Sequence, residues 1–133
     1  MVLSTDDYEK FWKGAILKKF AFVNDAAERE YKALPADVQD DFGKDLRRIQ
    51  FGQDPELPID FMDSIGIGVI ELKINGSPAY RCTYVAKYLD TVVVLHSFKK
   101  TTNGVDRQAK EVAEKRLKEL MADVREAERC KKR

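Results

Sequence analysis

Three cations stand where strand geometry can bring them together: Arg81, in the middle of "AYRCTYVAKY", and the adjacent Lys99 and Lys100 that close "TVVVLHSFKK". An arginine forks onto phosphate oxygens and stays charged, and a lysine loses proton affinity when other cations crowd it. Such groups suit phosphodiester cleavage through a ribose 2′-hydroxyl. That reaction needs a proton acceptor, positive charge for the developing phosphorane and a donor for the 5′-oxygen. His96 is the only histidine, which excludes a two-histidine mechanism, and no carboxylate cluster is spaced for two metals. A nuclease of this kind would lean on Lys and Arg, with no cofactor. It would be weak on free RNA, because flexible side chains need the substrate held in the reactive geometry by something else.

Arg81, Lys100 and Lys99 are therefore the catalytic candidates, with Lys73, Lys87, His96 and Glu71 as RNA-binding or supporting residues. Each has a plainer reading. Lys73 and Lys87 suit solvated guards of a sheet edge. A mid-strand arginine needs an open face or a partner, and Glu71 is the obvious partner for Arg81. A lone histidine is ordinarily a satisfied core or edge residue, and Cys82 suits packing.

The elements that must position these residues are legible from periodicity. Asn24 is an N-cap candidate ahead of Asp25 and Glu28, with Ala27, Tyr31 and Leu34 on one helical face before Pro35. Val38, Phe42, Leu46 and Ile49 predict a second helix, stopped by Gly52 and Pro55, so the two form a helical hairpin. "FWKGAILKKFAF" is ambiguous between helix and strand, and "QDPELPIDFMDS" reads as a surface connection. The period then becomes two: "GVIELKI", the turn "NG", "AYRCTYVAKY", the turn "LD" and "TVVVLHSF" predict an antiparallel meander of three strands, extensible to four. Val105, Ala109, Val112, Ala113, Leu117, Leu120, Met121 and Val124 form the stripe of a C-terminal helix, capped by Asn103 or Asp106. Residues 126–133 are charged and expected to fray.

The expectation is an α+β fold in one domain over residues 1–133, with 1–22 unassigned. One sheet face packs on helices and the other stays wet and basic. Strand alternation puts Arg81 on that open face with Lys73 and Lys87. Lys99 and Lys100 point opposite ways, so alternation alone leaves open which one joins Arg81.

With 133 residues, 44% hydrophobic and 35% charged, the chain fits a globular protein with a single core; no apolar stretch is long enough for a membrane span, and the acids in "MVLSTDDYEK" lead to the expectation that it is not exported. Cys82 and Cys130 make neither a disulfide framework nor a metal quartet and read as reduced cytoplasmic thiols. The net charge of +1 conceals a division: residues 1–63 hold 9 basic against 14 acidic residues, and residues 64–133 hold 15 against 9. A basic half suits an anionic partner such as nucleic acid, or the two halves attract each other within the fold.

The run "GVIELKINGSPAYRCTYVAKYLDTVVVLHSFKKTT", with the helix "A..VAEKRLKEL", resembles the RelE/HigB superfamily of toxins, in particular its phage-derived Gp49-like branch. That branch shows the pattern E-L…Y-R-x-x-Y…V-x-V-L-H-x-F-x-K-K-T…A-x-x-R, and the likeness covers roughly residues 36–120. The resemblance implies the toxin of a type II toxin-antitoxin pair, a cytoplasmic, metal-independent endoribonuclease. Such a protein enters the ribosomal A site and cuts mRNA, leaving a 2′,3′-cyclic phosphate and a 5′-hydroxyl. It implies a cognate helix-turn-helix antitoxin that also represses the shared operon. Arg81 matches the strand arginine that stabilises the phosphorane, and Lys99 and Lys100 match the basic group ending the last strand. Lys73 stands where many relatives have arginine, keeping the charge without the fork, and His96 also matches a family position.

Two rival readings use the same residues. Double-stranded-RNA-binding modules are α-β-β-β-α, but there the lysines open the final helix, whereas here "TTNG" separates them from it, and a helical hairpin stands in place of one helix. A phage-derived scaffold protein would leave Arg81 simply paired with Glu71.

Overall fold

Asn24 turns the chain from strand into helix. Its backbone is extended, and its side-chain oxygen accepts from the Ala27 N–H at 2.9 Å, satisfying one of the donors a helix start leaves open. In the computed structural model, which describes residues 17–101, 104 and 106–131, this cap separates strand β1 (Lys19–Phe22) from helix α1 (Asp25–Lys32). Helix α2 (Ala36–Gln50) follows, and Gly52, at φ +76°, closes it in the left-handed conformation that favours glycine.

After a connection come β2 (Ile59–Phe61), β3 (Val69–Ile74), β4 (Ala79–Tyr88), β5 (Thr91–Lys100) and helix α3 (Arg107–Lys131). The α+β architecture of helical hairpin, antiparallel meander and C-terminal helix is the expected one. The sheet holds two strands more than the three read from the sequence, in the order β1-β5-β4-β3-β2. β1 pairs with β5 in parallel, which resolves the ambiguous stretch, and Gln50 ties it to α2 by exchanging hydrogen bonds with Lys18. Residues 52–58 behave as a connection held by the buried Asp45, whose carboxylate accepts from the Glu56 and Leu57 N–H groups at 3.0 and 2.8 Å. β2 then adds an edge strand where only loop was expected, because three residues show no usable period. Residues 126–131 continue α3 rather than fraying, while Asn103 and Val105 lie outside the described residues. Asp106 is the cap, its Oδ1 accepting from Ala109 N–H.

The expectation of one open sheet face is corrected. On one face Leu72, Cys82, Tyr84, Val92 and Val94 pack under α1 and α2 through Leu34, Val38, Phe42, Leu46 and Ile49. On the other, Val69, Val85, Val93 and Leu95 pack under α3 through Leu120 and Val124. The stripe on α3 is long enough to cover this second face, and the apolar ends of β4 and β5 demand it. Only the opposite end of that face, where the strands carry Glu71, Arg81 and Lys100, escapes the packing.

Glu30 of α1 joins the two layers at the β5 edge. Arg116 of α3 donates to both of its oxygens at 2.6 and 2.8 Å and to the Leu95 carbonyl at 2.9 Å. His96 Nδ1 lies 2.7 Å from the same carboxylate, which only accepts when ionised, so Nδ1 carries the proton. Burial raises the Glu30 pKa, and the hydrogen bonds from Arg116 and His96 outweigh it, holding the carboxyl below its ordinary 4.5. A carboxyl depressed on folding stabilises the protein above its unfolded pKa and loses that contribution as pH falls through the folded one. Urea unfolding of Arg116→Met at pH 7 is expected to show a loss of about 2–3 kcal/mol, since it removes both arginine hydrogen bonds from a half-buried carboxylate and leaves it only His96. Glu30→Gln is expected to remove part of the stability decline below pH 4.5, and an unchanged acid profile would contradict the assignment.

A candidate active site between the sheet and the C-terminal helix

Arg81 sits on the central strand of the sheet, opposite Lys73 on β3 and Phe98 on β5. It is 5% exposed, so the expectation of an arginine on an open surface is corrected: the guanidinium is built into the protein. Nη1 donates to the Tyr80 and Ile74 carbonyls at 2.9 and 3.3 Å, and Nη2 to Asn75 Oδ1 at 3.3 Å. These bonds pin the β3–β4 turn to the strand. Nε–H is buried without a hydrogen-bond acceptor among the described residues; Glu71 Oε1, at 3.5 Å, neutralises charge without closing that bond.

Beside this pair lies a cavity of about 220 Å³. Its sheet side is formed by Asp60, Glu71, Arg81, Thr83, Phe98 and Lys100, and Asp106, Ala109 and Lys110 from the start of α3 face them. Met62 and Ile65 add apolar wall, which lowers the local dielectric around the charges. Burial and the neighbouring Asp60 push the Glu71 carboxyl above its ordinary 4.5, and Arg81, Lys100 and Lys73 offset only part of that rise. A carboxyl poised upward beside a buried arginine is the arrangement that proton-transfer sites use.

The register decides between the two terminal lysines. Lys100 pairs with Ala79, on the Arg81 face, whereas Lys99 pairs with Tyr80 and lies on the α1–α2 face. Lys100 is the diagonal neighbour of Arg81, about 7–8 Å away by strand geometry. Lys99 is thus separated from the cavity by the sheet itself, correcting its place in the cationic cluster. Lys87 is also removed from it: six residues along β4 is ~20 Å of strand, and its stem lies over Gly68, where the lack of a Cβ makes that close approach possible. Lys73 shares the Arg81 face but reaches outward to Asp60, at 3.2 Å, on the edge strand.

His96 does not line the cavity. Its ring stacks on Phe98, 4.8 Å between centroids, and Phe98 does line it, so the Glu30–Arg116 lock reaches the cavity wall through one aromatic contact. Cys82 is fully buried on the opposite face, where burial pushes its thiol up to about 12, in keeping with a packing role. Sequence reading ranked Glu71 only as a supporting residue and passed over Glu30, Arg116 and Lys110. Arg116 carried a signal in the A-x-x-R end of the helical pattern; Glu30 had none, because its partners lie 66 and 86 residues away.

No helix among the described residues is long and apolar enough to cross a membrane. Comparison with curated proteins and with solved structures gave no match. A family model does match, described as phage-derived protein Gp49-like (DUF891), over residues 29–118, a span that runs from Arg29 beside the Glu30 lock through every residue of the cavity wall. The chain therefore belongs to the Gp49-like family, within the RelE/HigB-like toxin superfamily and associated with toxins of toxin-antitoxin pairs.

Proposed function

We propose that this protein is a metal-independent endoribonuclease that cleaves mRNA on the ribosome and so arrests translation, acting in the cytoplasm and restrained by a cognate helix-turn-helix antitoxin. The observation that carries this reading is a buried arginine, its Nε–H short of an acceptor and its charge set 3.5 Å from a carboxyl held above its ordinary pKa, lining a cavity that Lys100 also lines. A phosphate oxygen would complete the arginine's hydrogen bonding, and charge-assisted bonds of this kind are strong.

In this reading Glu71, as carboxylate, removes the proton of a ribose 2′-hydroxyl. The 2′-oxygen attacks the adjacent phosphorus, and Arg81 and Lys100 stabilise the charge on the non-bridging oxygens. The bond to the 5′-oxygen breaks, and that oxygen takes a proton from the Lys100 ammonium, leaving a 2′,3′-cyclic phosphate and a 5′-hydroxyl. Glu71 returns its proton to solvent and Lys100 regains one. The cavity has room for about one phosphodiester, so in this reading alignment of the 2′-oxygen with the leaving group falls to the ribosome.

A scaffold protein would use the Arg81–Glu71 pair for structure alone, and the unclosed Nε–H beside that pair favours a ligand site instead. Arg81 is buried, so it adds nothing to a duplex-binding surface of exposed cations.

In cleavage of mRNA on programmed ribosomes, Glu71→Gln is expected to lower the rate by about 10²–10⁴ as a lost general base. Arg81→Lys is expected to cost about 10²–10³ as a lost electrostatic stabiliser. Lys100→Gln is expected to lower the rate and Lys99→Gln to leave it near wild type; equal effects of the two lysines, or full activity in Glu71→Gln, would overturn the assignment. The wild-type rate is expected to rise with pH along a limb centred above 4.5, because the base must be ionised and its pKa is raised. That limb should vanish in Glu71→Gln while a Lys110→Gln control retains it.

A further inference from the structure

A second cleft, of about 370 Å³, opens on the far side of Arg81 and Lys100. The β3–β4 turn, Asn75 to Pro78, forms one wall, and Thr101 and Gly104 after β5 form the other. Arg81, Lys100 and Gly104 line both cavities, so the two lie side by side with these residues between them.

Their electrostatics differ. The first cavity sets Asp60, Glu71 and Asp106 against its cations, as proton transfer requires. The second has Arg81 and Lys100 and no carboxylate among its described lining residues. Its remaining polar groups are neutral donors. Asn75 turns its oxygen to Arg81, which leaves its NH₂ group for another acceptor, and Ser77 and Thr101 contribute hydroxyls at the exposed rim. Its volume is near the lower end of the ~300–1,000 Å³ usual for ligand sites, room for about one nucleotide. An anionic sugar-phosphate meets no like charge there, whereas in the first cavity three carboxylates would repel a second phosphate.

We infer that this cleft is a subsite for the nucleotide next to the cleaved bond, gripping its phosphodiester between Lys100, Asn75, Ser77 and Thr101. The inference rests on the nuclease reading and adds to it the length of RNA that the protein itself holds: two consecutive phosphodiesters, with Lys100 between them. Arg81 then has two tasks, stabilising one phosphate with Nε–H and shaping the wall for the next through the turn it pins.

The test is binding of 2′-fluoro oligoribonucleotides, which lack the attacking hydroxyl, to the full-length chain across a range of salt. Going from one to two phosphodiesters is expected to tighten binding about tenfold, equivalent to about 1.4 kcal/mol, and to steepen the slope of log K against log salt by about 0.7. A third should add little. The exposed pair Ser77→Ala and Thr101→Val, which removes the two hydroxyls and adds no charge, should cut most of the second increment while leaving the one-phosphodiester affinity near wild type. An absent increment, one that survives in that variant, or one displaced by equal concentrations of inorganic phosphate would overturn the subsite. Loss of cleavage in Glu71→Gln alongside an absent increment would remove the subsite and leave the nuclease reading standing. Full cleavage in Glu71→Gln would remove the nuclease reading itself.

Discussion

The structure is organised around a buried cation. Placing a guanidinium in the middle of a five-stranded sheet is unfavourable unless its charge and its donors are met, and Arg81 is met from three directions. Two backbone carbonyls and Asn75 take the Nη groups, and Glu71 balances the charge from the neighbouring strand. That solution dictates the shape of the β3–β4 turn, keeps α3 from sealing this end of the sheet, and buries Glu71 enough to raise its pKa. Its Nε–H is left without an acceptor, and the residue lines a cavity. Stability and reactivity here share the same atoms.

The rest of the fold maintains this arrangement. The apolar halves of β4 and β5 are clamped between α1–α2 on one side and α3 on the other, so the charged end is held by a rigid base. The Glu30–Arg116–His96 lock does the same at the β5 edge, and its stack on Phe98 carries that rigidity to the cavity wall. In the reading proposed for this site such fixing matters, since a small displacement of a base or a donor is costly in rate.

The chain's division of charge has a local explanation. Part of the attraction between the acidic and basic halves is spent inside the fold, in Lys73 with Asp60 and Arg116 with Glu30. The cations that remain around the cleft are few and placed, which suits recognition of a short anionic segment better than nonspecific binding to a long one.

Local chemistry alone determined a good deal. Asn24 is a cap in any context that makes a helix follow it, the cap of the C-terminal helix is narrowed to Asn103 or Asp106, the period-two runs around Asn75-Gly76 and Leu89-Asp90 read as paired strands, and the alternation along β4 puts Arg81 opposite Cys82 in orientation. These are decided by hydrogen bonding and side-chain period over a few residues. Tertiary structure decided the rest. Whether Lys99 or Lys100 joins Arg81 depends on cross-strand register, which no single strand contains. Whether the Arg81 face is open depends on where a 25-residue helix docks. The raised Glu71 carboxyl and the Glu30 lock arise from burial and from partners far away in the chain, and free energies of that kind exist only once the chain has folded back on itself.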